Sequence, residues 1–108
     1  MNPGCQQQAA YQGKQILRDH VRSLAPATRR RHLARIEQFA GTVWARWQVG
    51  PYRVCCKHVR WYMEVPLRDC SRQTRYLHWL TIRRLIVALH REAWLGRLNG
   101  SWTAPRDA

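Results

Sequence analysis

Two short runs of residues combine arginine with the residue types that begin helices. The first is Thr28-Arg29-Arg30-Arg31, and the second is Ser71-Arg72-Gln73-Thr74-Arg75. A helix start presents unpaired backbone N–H groups and the positive end of the helix dipole. Arginine adds a planar guanidinium that holds phosphate through two parallel hydrogen bonds. The two runs therefore predict two phosphate sites that together clamp a polyanion, above all a nucleic acid backbone.

The composition agrees with a polyanionic partner. The 108-residue chain contains 17 arginines, two lysines and six acidic residues, and its net charge is +13. The pI of 11.2 lies above the value of about 9 that is typical of nucleic-acid-binding domains. Two alternative origins of the charge stay open: a basic surface that serves solubility alone, and a GC-rich genome that raises the arginine content.

Other kinds of chemistry have little support in the sequence. The four cysteines form no CxxC pair, and the set Cys55, Cys56, His58 and Cys70 matches no standard zinc module. We therefore expect reduced thiols, no metal and no cofactor. The histidines are scattered without a clustered acid or nucleophile, so no catalytic residue and no small-molecule substrate is predicted. No apolar run approaches the roughly 20 residues that a membrane-spanning helix needs.

The pattern of apolar residues, prolines and glycines predicts one all-α domain of four helices. We expect a flexible leader over residues 1–13, a helical DNA-binding domain over 14–98 and a flexible tail over 99–108. The four helices are predicted at about 14–23, from Pro26 or Thr28 to Trp47, at about 54–65, and at about 71–94. Gly50-Pro51 and Pro66 separate the later helices.

Two of these helices are predicted to have distinct core and DNA-facing sides. The second helix has an apolar stripe of Leu33, Ile36, Phe39, Ala40, Val43, Trp44 and Trp47. Arg31 and Arg35 fall on its other side. The fourth helix has a core stripe of Trp79, Ile82, Leu85, Ile86, Leu89 and Ala93. A second side of small, polar and basic residues suits a DNA surface, and it contains Thr74, Leu77, Thr81, Arg84, Ala88 and Arg91.

These residues resemble the core-binding domain of tyrosine recombinases, the phage-type integrases, whose fold is an orthogonal SAM-like four-helix bundle. The resemblance covers residues 14–98 and has three parts. They are a Thr-initiated helix from Thr28 to Phe39 with Trp44 beyond it, a short helix with Val59-Arg60-Trp61-Tyr62-Met63, and a long helix that begins Ser71-Arg72-Gln73-Thr74. The order and separation of these parts carry the resemblance.

The resemblance implies a double-stranded DNA-binding module for DNA integration and recombination. It places DNA contacts at Thr28, Arg30, Arg31, Arg35, Ser71, Gln73, Thr74, Leu77, His78 and Thr81. Charge and helix face add Arg72, Arg75 and Arg84. In this family the tyrosine nucleophile lies in a separate C-terminal domain, which would begin about where this sequence ends. We therefore expect no strand cleavage by this chain.

Two other functions stay open at this stage. One is a protein-interaction or regulatory module that acts on a recombinase catalytic domain, or self-associates on DNA, through Trp61, Trp102 or the first helix. The other is a basic RNA-binding adaptor, although the known RNA-binding motifs are missing. The expected location is the bacterial cytoplasm, with association to the nucleoid when the protein is bound to DNA.

Overall fold

The computed structural model describes residues 2–104, and over that range the chain is helical with no strand. Its four α-helices are α1 (Gln6–Arg18), α2 (Pro26–Trp47), α3 (Cys56–Glu64) and α4 (Arg72–Ala88). Short 3-10 helices lie at Asp19–Val21, Pro51–Arg53, Glu92–Gly96 and Ser101–Thr103. The all-α fold class with four α-helices is therefore confirmed.

The first helix requires a correction. It begins at Gln6 rather than near Lys14, within the residues that we assigned to a flexible leader. Ala9, Gly13 and Leu17 are buried at intervals of four residues and form the face that packs on α2. A Cβ atom at Gly13 would lie 3.0 Å from the Cβ of Ala40, so the absent side chain lets the two helices approach closely. Small residues carry little hydrophobicity, which is why this face was missed.

The second helix confirms the predicted bounds, from Pro26 to Trp47. Proline at the first helical position has a preset φ and needs no hydrogen-bond acceptor for its nitrogen. The helix ends where Gln48 takes a left-handed conformation with φ of 56°. Thr28 lies inside the first turn and does not cap the helix. The core face contains His32, which is buried, whereas Leu33 is only half-buried.

The fourth helix begins as predicted and ends early. The Ser71 hydroxyl accepts a hydrogen bond of 3.1 Å from the Thr74 backbone N–H, which makes Ser71 the N-cap. The helix ends at Ala88 rather than near residue 94 because His90 adopts a left-handed φ of 59°. A short 3-10 helix, Glu92–Gly96, continues the chain. The third helix is also slightly shorter than the predicted range 54–65.

The segment after α4 packs on the bundle, which corrects part of the predicted flexible tail. Leu98 and Trp102 are 1% and 3% exposed and belong to the hydrophobic core. The 3-10 helix Ser101–Thr103 lies against α4. The last part of the predicted tail, residues 105–108, lies outside the described residues.

The core joins residues from all four α-helices. Phe39 of α2 packs edge-on against Tyr62 of α3 with ring centroids 5.0 Å apart. Trp79, Ile82, Leu85 and Ile86 supply the α4 side. Between residues 2 and 104, no helix combines the length and the apolar character that crossing a bilayer requires.

Candidate nucleic-acid interface

The contact between α2 and α4 fixes the geometry of the basic residues. His32 Nδ1 of α2 lies 2.7 Å from the Thr81 hydroxyl oxygen of α4. Later on α4, Arg84 Nη1 donates a hydrogen bond of 3.3 Å to the carbonyl of His20, which precedes α2. Earlier on α4, His78 is close enough to Arg35 for its pKa to be lowered by that charge. The two helices are therefore antiparallel where they meet.

The antiparallel packing of α2 on α4 separates the two arginine-rich helix starts. The start of α2 lies toward the C-terminal half of α4, and the start of α4 lies toward the middle of α2. At 1.5 Å per residue, the two starts are roughly 15–20 Å apart along the contact. Each has a different neighbour, since Arg29 Nη1 donates to the Arg22 carbonyl and Arg72 Nε donates to the Ala104 carbonyl. The two starts are therefore separate sites, and a clamp formed by both stays a prediction.

The two starts also differ in whether a side chain of the protein accepts hydrogen bonds from the first backbone N–H groups of the helix. At α4 the Ser71 hydroxyl caps the helix and donates a hydrogen bond of 3.0 Å to the Thr74 hydroxyl. At α2 the capping position is Ala25, and no side chain caps the helix. The exposed N–H groups of a helix start attract anions only where nothing else occupies them. The α2 start therefore fits a phosphate better than the α4 start does.

Two residues that we placed in the DNA contact are buried. Thr81 is 0% exposed and faces α2, where it pairs with His32. His78 is 9% exposed and lies 6.0 Å from the Tyr62 ring, measured between ring centroids. Neither side chain can reach a base edge in this fold. The error came from assigning the polar side of α4 to solvent, whereas α2 covers part of it.

The other predicted contacts divide by exposure. Exposed side chains belong to Arg30, Arg31, Ser71, Gln73 and Thr74. Half-buried side chains belong to Thr28, Arg35, Arg72, Arg75, Leu77 and Arg84. The guanidinium Nε of Arg75 is enclosed without a hydrogen-bond partner among the described residues. Only its outer nitrogens can therefore meet a ligand.

Arg35 is the most unusual charge in this region. The residue is half-buried, and within residues 2–104 its guanidinium has no carboxylate or hydrogen-bond partner. Burial, and then the positive charge of Arg31, lower the pKa of Arg35. Desolvation of an unpaired cation beside a second cation is unfavourable unless an anion arrives.

The acidic residues that the structure describes do not neutralise this region. Ion pairs in the described part of the chain join Lys14 to Glu37, Arg22 to Asp19, and Arg68 to Asp69. None involves the four arginines that border the α2–α4 contact. We call these four the α2–α4 basic surface: Arg31, Arg35, Arg83 and Arg84.

A cavity borders this surface and contains residues that the sequence analysis missed. It is open to solvent and has a volume of about 450 Å³. Its lining residues are His20, His32, Leu80, Arg83, Arg84 and Val87. His32 could have been found, because it lies four residues before Ile36 on the core stripe of α2. Arg83 and His20 carry no such signal, since only the tertiary contact brings them together.

The imidazoles in this region are held in their neutral form. Burial is the main reason that the pKa of His32 is lowered, and the charges of Arg84 and Arg35 add to it. Burial and Arg35 lower the pKa of His78. Both rings therefore avoid a charge that would repel the neighbouring guanidiniums, and they offer hydrogen bonds instead.

Most of the residues considered for partner docking or metal binding make contacts within the fold. Trp102 is buried, so this indole cannot dock a partner while the segment is packed. Trp61 packs edge-on against Trp47 with centroids 4.6 Å apart. Cys55 Sγ lies 3.5 Å from His58 Nδ1 at the start of α3. Within residues 2–104, no three His, Cys, Asp or Glu side chains are grouped to hold a metal ion.

Comparison with known proteins adds no relative. No protein-family model, curated protein or solved structure matches this chain. The resemblance to the integrase core-binding domain therefore stays a prediction, and the function is argued from the geometry of this chain.

Proposed function

We propose that this protein binds double-stranded DNA through the α2–α4 basic surface and the uncapped start of α2. Phosphate groups bind Arg31, Arg35 and Arg84, and Arg30 adds a further exposed charge at the first turns of α2. The proposal assigns no catalytic step to these residues. They position a duplex by its backbone, which is the role that arginine and helix N-termini play in most protein–DNA contacts.

The observation that carries the proposal is Arg35, which is half-buried and has no partner among the described residues. The neighbouring charge of Arg31 and the two neutral imidazoles leave it surrounded by hydrogen-bond donors and cations. A backbone phosphate at this point relieves the repulsion and accepts hydrogen bonds from the Arg35 guanidinium. The phosphate charge is the same at every position of a duplex. The contact between phosphate and arginine therefore supports binding without base specificity.

The order of the helices supports an integrase core-binding type of module, in an orthogonal SAM-like bundle. The long second helix, the short α3 with Val59 and Tyr62 buried, and the Ser71-capped α4 follow the order of that family. The burial of Thr81 and His78 departs from the contacts that the resemblance implies. We therefore locate the DNA at α2 and the outer side of α4 rather than at the starts of both helices.

The test is a binding titration of a fluorescent duplex with the wild-type protein and the double variant Arg31→Gln/Arg35→Gln. Removing two charge-assisted contacts should weaken the affinity by at least about tenfold, since hydrogen bonds to charged groups contribute roughly 1.5–3 kcal/mol. Arg53→Gln is the matched control, because Arg53 is exposed and lies outside the α2–α4 basic surface. Arg53→Gln removes a single charge, and its effect should be small.

Three results would contradict the proposal. Equal weakening by Arg53→Gln would show that net charge alone drives binding. Undiminished affinity of the double variant would place the DNA elsewhere on the molecule. Complete displacement of the duplex by an equal concentration of structured RNA would favour the RNA-binding alternative, since a surface fitted to B-form DNA should prefer the duplex.

A further inference from the structure

The cavity beside the α2–α4 basic surface has an unusual combination of lining groups. Two guanidiniums, from Arg83 and Arg84, and two imidazoles, from His20 and His32, face an apolar wall of Leu80 and Val87. Among the described residues, no carboxylate lines it. Its volume of about 450 Å³ lies within the range of roughly 300–1,000 Å³ that small-molecule sites occupy.

His32 places a positioned imidazole nitrogen at this cavity. Its Nδ1 is engaged by the Thr81 hydroxyl at 2.7 Å. Its Nε2 has no hydrogen-bond partner within residues 2–104, and the fold does not enclose this atom. The role of Nε2 follows from the tautomer: it donates when the Thr81 hydroxyl donates to Nδ1, and it accepts when that hydroxyl donates to the Leu77 carbonyl, 3.5 Å away. The imidazole is thus oriented from behind by a buried hydroxyl, as ligand-binding histidines commonly are.

The arginines supply the charge for a bound anion. Arg84 is anchored, because Nη1 donates to the His20 carbonyl at 3.3 Å, and its remaining N–H groups are free for a ligand. Arg83 is exposed and has no ion-pair partner among the described residues. Two adjacent guanidiniums can contact two oxygens of one phosphate group, and His32 contacts a third in the tautomer that carries its proton on Nε2.

The apolar wall indicates a ligand that has apolar surface in addition to a phosphate group. Val87 is 40% exposed and Leu80 is half-buried, so a bound ligand can cover both side chains. A sugar and base provide apolar surface adjacent to a phosphate, whereas inorganic phosphate has none. Burial of these apolar groups favours the larger ligand over inorganic phosphate.

We propose that the cavity binds a nucleoside monophosphate unit, with its phosphate on Arg83, Arg84 and His32 and its sugar and base against Leu80 and Val87. This inference rests on the proposed function, because the cavity continues the surface that holds the duplex. The unit is either the 5′-phosphorylated end of a DNA strand or a free nucleotide.

The experiment is a calorimetric titration of the full chain with deoxyadenosine monophosphate and, separately, with inorganic phosphate. The nucleotide should bind, and Arg83→Gln should weaken it about tenfold through the loss of a charge-assisted contact. Val87→Thr replaces the valine with a side chain of nearly the same shape and should weaken the nucleotide but not inorganic phosphate. Arg53→Gln is the matched control and should leave nucleotide affinity unchanged.

The outcomes separate the cavity from the DNA surface. No nucleotide binding together with retained binding of a duplex closed by hairpins at both ends overturns the cavity proposal and leaves the proposed function standing. Loss of both overturns both. Equal affinity for inorganic phosphate and the nucleotide also overturns the nucleotide assignment, because the apolar wall then contributes nothing.

A pair of open-ended duplexes distinguishes the two sources of the ligand. One has 5′-phosphates, and the other has 5′-hydroxyls. Preference for the phosphorylated duplex that disappears in Arg83→Gln identifies a strand end as the source. Binding of the free nucleotide without such a preference identifies the free nucleotide.

Discussion

At the residue scale, the contact between α2 and α4 depends on one buried hydroxyl. Thr81 is fully buried and bonds to His32. We predict that Thr81→Val lowers the free energy of unfolding by about 1–3 kcal/mol, because it leaves Nδ1 of a buried imidazole without a partner. Urea denaturation followed by circular dichroism measures this loss.

Two variants control for the change in side chain. Thr81→Ser keeps the hydroxyl and should lose less stability than Thr81→Val. Thr42→Val alters a threonine on α2 that is only half-buried, and it should change stability by less than about 0.5 kcal/mol. If Thr81→Val were as stable as the wild type and altered base preference instead, Thr81 would have to face the DNA.

A second residue-scale prediction concerns pH. The folded protein lowers the pKa of His32 and of His78 below 6.5, chiefly by burial. The unfolded chain therefore binds protons first, and the stability from these rings is complete above about pH 6.5. Below that pH, it declines toward the lowered folded pKa values. We expect the melting temperature to fall between pH 7.5 and pH 5.5.

Replacing one ring tests the source of that decline. His78→Gln removes a buried titrating group and should reduce the difference in melting temperature between the two pH values. Ser23→Ala changes an exposed side chain that does not titrate and should leave the difference as it is in the wild type. A decline that His78→Gln does not alter would assign the acid sensitivity to other groups, such as His58, whose pKa burial also lowers.

At the scale of the elements, the starts of α2 and α4 differ in whether a side chain caps the helix. Ser71 accepts the Thr74 N–H, whereas α2 has no side-chain cap. We predict that Ser71→Ala lowers the free energy of unfolding by about 1 kcal/mol. Ser23→Ala, at an exposed turn, is the control and should be nearly neutral. Equal effects of the two substitutions would show that the cap contributes nothing.

The close approach of α1 and α2 gives another element-scale prediction. Gly13 faces Ala40 at a distance that leaves no room for a large side chain. Gly13→Leu should therefore separate the helices and lower stability by roughly 1–3 kcal/mol. At Gly96 an added Cβ meets nothing within 4 Å, so Gly96→Leu should be far milder in thermal denaturation. A stable Gly13→Leu protein would mean that α1 is not packed as described.

Sequence periodicity predicted elements better than it predicted their contacts. The bounds of α2 followed from Pro26 and a strong apolar stripe, and Ser71 was recognised as a cap from its residue type. The packing face of α1 was missed because Ala9 and Gly13 have little hydrophobicity. The exposure of Thr81 was wrong because a small polar side chain suits both a DNA surface and a satisfied contact between helices. Only the packing of α2 on α4 distinguishes the two.

At the scale of the whole molecule, the balance of charge determines how binding responds to salt. The longest dimension is 41 Å, which spans roughly 24 phosphate charges of a duplex at 1.7 Å per charge. One face of the protein reaches only a part of these, and contacts from Arg30, the α2–α4 basic surface and the α2 start account for about six. The logarithm of affinity should then fall with the logarithm of salt concentration with a slope near −5.

Comparing the salt-dependence slopes of the wild type and its variants shows which arginines contact phosphate. Affinity measured at one salt concentration does not show this. Each contact contributes about −0.9 to the slope, so Arg31→Gln/Arg35→Gln should make it shallower by about 2. Arg53→Gln should leave it unchanged, because a charge that meets no phosphate releases no counterion. Fluorescence anisotropy between about 50 and 200 mM salt gives the slopes. A flat titration of the wild type would exclude phosphate neutralisation as the source of binding, and equal slopes for wild type and double variant would move the duplex away from α2.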